Sequence, residues 1–379
     1  MRAKTIIVFV LSLMAGVSFA TEWEQRADFG SHGRHRGTAA SVGTKGYMGL
    51  GHYNGAGPNI ILDDWWEYDP ATNAWTQKAD HPVGNYGVIA FTVGDYCYVG
   101  SGQVNSNFYR FDPASNQWDQ LNTPPTSFSN SHAFSLDGKA YSMPTSSSNL
   151  YEYDPISDNW TIKNNAPFSA SFWATSFVIG EKAYVKNGSS LWEYKPSIDE
   201  WIARAPFPGL ATSGSVALTQ YEKGVLVSGY GSFLSNVTSE VWAYDPYLNE
   251  WDSLTEFPGN SRRFASGFSV GNRCYFGIGT NGTNFGDFWE FDALANVQTI
   301  DFEHLNVFPN PASEFVRFKL NSMLEFSVEI YATNGQLIRR LEAEGGFAQF
   351  NRENLLAGTY YYSIKKEGIV VQTDSFIFN

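Results

Sequence analysis

Two short basic clusters carry the most evident chemistry in this chain. "GRHRG" supplies Arg34, His35 and Arg36, and "SRRF" supplies Arg262 and Arg263. Guanidinium groups hold carboxylates or sulfates through paired, charge-assisted hydrogen bonds. Tyr86, Phe172 and Trp173 offer flat faces on which sugar rings or apolar side chains stack. These eight residues form the expected ligand-binding set, provided the fold gathers them. In the plainer alternative, the arginines pair with carboxylates at sheet edges and the aromatics pack between sheets. Other chemistry has less to stand on. The six histidines, His32, His35, His52, His81, His132 and His304, are scattered without zinc spacing. No G-x-S-x-G elbow joins a serine to a base. Neither a metal nor a cofactor is expected, and no catalytic residue is assigned.

The elements that would position the set come from a repeat. An aromatic residue before an acidic or polar turn recurs as Tyr68, Phe111, Tyr153, Tyr194, Tyr244 and Phe291, at spacings of 43, 42, 41, 50 and 47 residues. In "WWEYDPATNAW", Asp69 caps a turn, Pro70 fixes its first central residue and Asn73 accepts the unusual φ that closes a hairpin. Two apolar runs precede each hairpin, such as "YGVIAFTV" and "DYCYVGSG". Each copy therefore reads as four strands, A to D, and the chain as all-β. Trp75, Trp118, Trp160, Trp201 and Trp251 open strand D in five copies. The sixth has Gln298 where that tryptophan belongs. The N-terminal "TEWEQ" has a spare tryptophan, Trp23, and no strand C before it. Pairing the segment at Trp23 with "FWEF" supplies the missing strand and leaves no open edge.

The Tyr-Asp-Pro (Phe111 for Tyr in one copy, Lys195 for Asp in another) and following Trp, in five copies, resemble the kelch repeat. The resemblance implies a six-bladed kelch-type β-propeller over residues 21–298, closed by the N-terminal strand. Some such propellers are copper oxidases, which need clustered His and Tyr ligands. Others are sugar mutarotases or epimerases, which need an acid, a base and an arginine in the mouth. In such a fold the D-to-A and B-to-C loops share one face, which would receive Arg34, His35, Arg36, Arg262 and Arg263, with Phe172, Trp173 and Tyr86 across the mouth. The B-to-C loops of the first, fifth and sixth copies are longer than the repeat requires, a usual place for recognition. Cys97 and Cys274 fall at the same position of two copies in blades that do not touch, and are expected as buried thiols.

Both ends of the chain have their own signals. Arg2 and Lys4, the run "TIIVFVLSLMAGV" and "SFA" read as a signal peptide spanning 1–20 and cut after Ala20. No later stretch has the apolar length of a transmembrane helix. After a linker at 299–304, residues 305–379 read as a small β-sandwich. It has one hairpin turning at Asn334-Gly335 and another near Glu367-Gly368. "VFPNPASEFVRF", "VEIYATNGQLI" and "LLAGTYYYSI" resemble the C-terminal sorting domain of the type IX secretion system. The resemblance implies passage across the outer membrane, with the type IX machinery as partner and the cell surface or medium as destination. The formal net charge of −13 disfavours nucleic acid and anionic membranes as partners. The expected function is an exported protein that recognises a protein or glycan with its loop face. A carbohydrate-active enzyme on the same scaffold is the alternative.

Overall fold

The computed structural model describes residues 22–54, 58–246, 248–292, 306–319, 326–333, 336–343, 345–353, 355–366 and 369–379. The expected signal peptide, the 299–304 linker and the turns at Asn334-Gly335 and Glu367-Gly368 lie outside the described residues. The described secondary structure is all β.

Among the described residues of 22–292 there are six four-stranded antiparallel sheets. Sheet 1 has strands A to D at Thr38–Val42, Lys45–Gly49, Trp65–Asp69 and Ala74–Gln77. Sheets 2 to 5 begin at Ile89–Val93, Ala133–Leu136, Thr175–Ile179 and Val216–Gln220. Sheet 6 uses Ser266–Val270, Arg273–Gly277 and Phe288–Asp292, and its fourth strand is Glu22–Gln25. Trp23 stands opposite Phe291 in that pairing. Its ring stacks on Phe291 at 4.2 Å and meets Phe257 edge-on at 5.0 Å.

Local residue choices explain the repeat. The strand-B residue facing the repeated aromatic is always small: Gly46 opposite Tyr68, Cys97 opposite Phe111, Ala140 opposite Tyr153, Ala183 opposite Tyr194, Gly224 opposite Tyr244 and Cys274 opposite Phe291. A Cβ on Gly46 would come within 2.0 Å of the Phe268 ring of sheet 6, so an aromatic of the neighbouring sheet fills the space it leaves. The two cysteines are free, buried and chosen for size. In the C–D turns Asn73, Asn116, Asp158, Asp199 and Asn249 have φ between 49° and 56°, where Asn and Asp are the tolerated side chains. Their side chains also tie sheets together. Asn73 accepts from Tyr68 Oη and from the Ala27 amide, and Asn249 accepts from Tyr244 Oη and the Ala205 amide.

The first strands of sheets 1 to 6 lie side by side in order, and that of sheet 6 lies beside that of sheet 1. One residue just before each first strand links to the next sheet. The amides of Gly87, Asn130, Trp173, Gly214, Phe264 and Arg36 donate in turn to the carbonyls of Arg36, Gly87, Asn130, Trp173, Gly214 and Phe264, at 2.8–3.2 Å. The chain of six hydrogen bonds ends on the residue where it began. All six residues have positive φ, from 55° to 68°.

Residues 306–379 form a separate pair of sheets around one core. Asn306–Phe308, Phe315–Lys319 and Phe347–Asn351 make the first sheet, and Ser327–Tyr331, Leu337–Glu342, Gly358–Lys366 and Ile369–Phe378 the second. Phe318 joins them, with Tyr362 at 5.0 Å and Phe376 at 6.1 Å.

Candidate functional site

The D-to-A and B-to-C loops of the six sheets do meet on one face. Bridges His35–His52, Ser213–Tyr230 and Arg263–Thr280 join such loops pairwise in sheets 1, 5 and 6. The eight expected residues separate there into two groups.

Arg34 and Arg262 are a correction to the expected set. Both are fully buried. Arg34 forms a two-pronged ion pair with Asp64, whose second oxygen lies 2.8 Å from Nη2. Arg262 does the same with Asp287, at 2.6 and 2.8 Å. Their planes lie over Phe29 and Phe257, both at 4.8 Å. Trp66 and Trp289 donate indole N–H groups to the same two carboxylates at 2.8 Å. Burial alone would raise the Asp64 and Asp287 carboxyls. The arginine beside each, with the indole N–H, holds it below the ordinary carboxylate value instead. These two arginines fasten the B–C loop of their own sheet and, fully buried, present no surface to a ligand.

Arg36 and Arg263 behave differently. The region 22–292 holds sixteen Lys and Arg residues. Thirteen of them form ion pairs with Asp or Glu. Arg36, Arg263 and Lys186 do not, among the described residues. The Arg36 guanidinium sits between aromatic rings: Phe264 at 4.8 Å, Trp173 at 5.4 Å and Tyr86 at 5.9 Å. Arg263 lies 5.5 Å from the Phe264 ring. The Nε atoms of both are buried without a hydrogen-bond partner. Burial lowers the Arg36 pKa from its ordinary value and the charge of Arg263 lowers it further, while Tyr86 opposes. Such a pair favours an incoming negative group.

His35 belongs to this mouth, and so does His52, which no motif marks in the sequence. Their rings are 4.1 Å apart, and His52 stacks on Tyr86 at 4.2 Å. His35 Nδ1 is 2.8 Å from Asn284 Oδ1, and both ring nitrogens of His52 are unpartnered. Burial lowers the His35 pKa to about 4, with His52 and the two arginines adding to it, and burial with Arg36 does the same for His52. Both are neutral near pH 7, so the positive charge rests on the arginines. Trp173 is half-buried against Phe264 at 4.6 Å, whereas Phe172 is 53% exposed at the rim. A cavity of about 170 Å³ is lined by the first strands of all six sheets, with Arg36, Trp173 and Phe264 in its wall. A sugar-modifying enzyme would want a carboxylate beside the arginines, and neither arginine has one as an ion-pair partner among the described residues.

Comparison with known proteins bears on each part of the chain. Residues 306–379 match the family described as a secretion system C-terminal sorting domain. That domain implies handling by the type IX machinery and export to the cell surface or beyond. No curated protein matches the chain. The solved structure of YjhT aligns with a TM-score of 0.58 at 16% identity, covering 69% of this chain and 95% of that one. At this identity the likeness concerns the fold, which is propeller-like.

Proposed function

We propose that the chain is an exported recognition protein. A signal peptide at 1–20 starts export, residues 21–298 form a six-bladed kelch-type propeller closed by the N-terminal strand, and the domain at 305–379 directs sorting. The six sheets, the pairing of Trp23 with Phe291 and the returning ring of hydrogen bonds support the closed propeller. The ligand-binding face is the loop face, and its working residues are His35, Arg36, Tyr86, Phe172, Trp173 and Arg263. One observation carries this reading: in a chain of net charge −13, two guanidiniums that have no carboxylate partner among the described residues stand together at the mouth. Holding them there unpaired costs stability, and a ligand that supplies the missing charge explains the arrangement.

The test uses the mature chain, immobilised and probed with glycan and peptide arrays. Trp173→Ala and Arg263→Gln are compared with Ile156→Ser, which alters a C–D turn on the opposite face, where Ile156 is 96% exposed. Retained ligands should be lost from the two loop-face variants and kept by the third. Retention indifferent to all three changes would refute loop-face recognition.

A further inference from the structure

We infer that the partner is a protein segment in which a carboxylate is flanked by bulky apolar side chains. This rests on the loop face being the recognition surface and names what it recognises. The face has two adjoining sectors. Sheets 6 and 1 contribute the cationic one, Arg263 and Arg36, beside two neutral imidazoles. Sheets 4 and 5 contribute an apolar one, in which Phe172 is 53% exposed, Leu210 60%, Phe233 73% and Leu234 48%.

The sectors meet at Phe264. Trp173, the residue after Phe172, packs on Phe264 at 4.6 Å, and Tyr230 packs on it at 5.5 Å. Tyr230 ends strand Lys223–Tyr230, and the hairpin that leads back to strand Val237–Asp245 bears Phe233 and Leu234. Leu210 belongs to the neighbouring D-to-A loop, which joins Tyr230 through the Ser213 bridge.

Two features of composition select a protein partner over a sugar. Sugar faces stack on flat rings, but branched aliphatic chains such as Leu210 and Leu234 give them no platform. Exposed Phe beside Trp, Tyr and Arg is instead the make-up of a protein interface centre, and Leu210 and Leu234 add apolar area beside it. Charge complementarity then fixes the polarity. The two guanidiniums have no counter-charge among the described residues, so the segment must carry an acid where it crosses sheets 6 and 1.

A phage-displayed library of random heptapeptides, panned on the mature chain, tests this. The expected consensus places Asp or Glu next to Leu, Ile, Phe or Trp. A synthetic peptide of that consensus should lose at least tenfold in affinity on Arg36→Gln or Arg263→Gln, with a flatter salt dependence. Phe233→Ser and Leu234→Ser should weaken it comparably while the salt dependence stays. Both positions are exposed, so those variants keep the fold, and melting curves check the arginine variants. A consensus without an acidic residue overturns the inference. So does capture of acidic glycans with no peptide selected, although loop-face recognition would then stand. Peptide affinity indifferent to all four substitutions overturns both.

Discussion

Replacing Lys186 with Met should stabilise the protein near neutral pH and cease to do so in alkali. Lys186 is 1% exposed and has no carboxylate partner among the described residues. Its Nζ donates to the Ala211 carbonyl at 2.5 Å and lies 4.6 Å from the Phe207 ring centroid. Burial lowers its pKa from 10.5 to about 7. Between those values the unfolded chain binds a proton that the folded chain lacks, so stability climbs with pH. Below about pH 7 both states are protonated and the folded state carries the whole cost. At about 1.4 kcal/mol per pH unit, that cost is on the order of 4–5 kcal/mol. Losing the hydrogen bond to Ala211 returns about 1 kcal/mol of it. Sheet 3 shows that the equivalent site takes a thioether, since Met143, just after strand B at the matching position, is fully buried. Lys186→Met should therefore gain roughly 3 kcal/mol at pH 6–7, or about 6–10 °C in melting temperature. Calorimetric melts from pH 6 to 10.5 should show the gain shrinking to nothing. An equal gain at both ends, or a loss at pH 6, would refute the reasoning.

Three further outcomes are expected. Trp23→Ala removes the ring stacked on Phe291 and edge-on to Phe257 and should cost about 3–5 kcal/mol, read as a lower urea midpoint; an unchanged midpoint would mean sheet 6 does not depend on its borrowed strand. Arg34→Met leaves Asp64 buried without its partner and should cost about 3–5 kcal/mol, whereas Arg263→Gln should leave the melting temperature within about 2 °C or raise it. His81 and His132 are held neutral by burial, with pKa values lowered to about 4; their contribution is complete above pH 6.5 and lost as pH falls through about 4, roughly 3 kcal/mol each, so His132→Gln should flatten the fall in stability seen in acid titrations followed by circular dichroism.

The repeat was legible because its chemistry is local. Asn73 and its counterparts sit in turns that the sequence already marks, and the count of strand-D tryptophans leaves Trp23 to pair with the segment at Phe291. The division between Arg34 and Arg36 was not legible from spacing. Asp64 reaches Arg34 only because strands B and C fold back through a loop. A signal for it was nevertheless present: "DWW" and "DFW" place an aspartate two residues before a tryptophan in the same two copies that contain the arginine pairs. His52, Tyr230 and Phe264 join the mouth through loop geometry, with no motif of their own. Lys186 has no motif around it either, and its burial comes from the packing of its strand.

The backbone of the hydrogen-bonded ring gives separate grounds for placing function at Arg36. Glycine takes positive φ without strain and asparagine tolerates it, which accounts for Gly87, Gly214 and Asn130. Arg36, Trp173 and Phe264 take the same conformation at φ of 56°, 60° and 55°, at roughly 1–2 kcal/mol each. Local preference is thus violated at the three ring positions whose side chains form the mouth, where a functional demand is the usual reason. Arg36→Asn separates that demand from a structural one. It should remove strain and the repulsion from Arg263 while losing cation–π contacts of about 0.5–2 kcal/mol. The melting temperature should stay within about 3 °C of the parent while ligand retention falls. A large loss of stability would instead make Arg36 a structural arginine like Arg34, and the unpaired charge at the mouth would no longer argue for a partner.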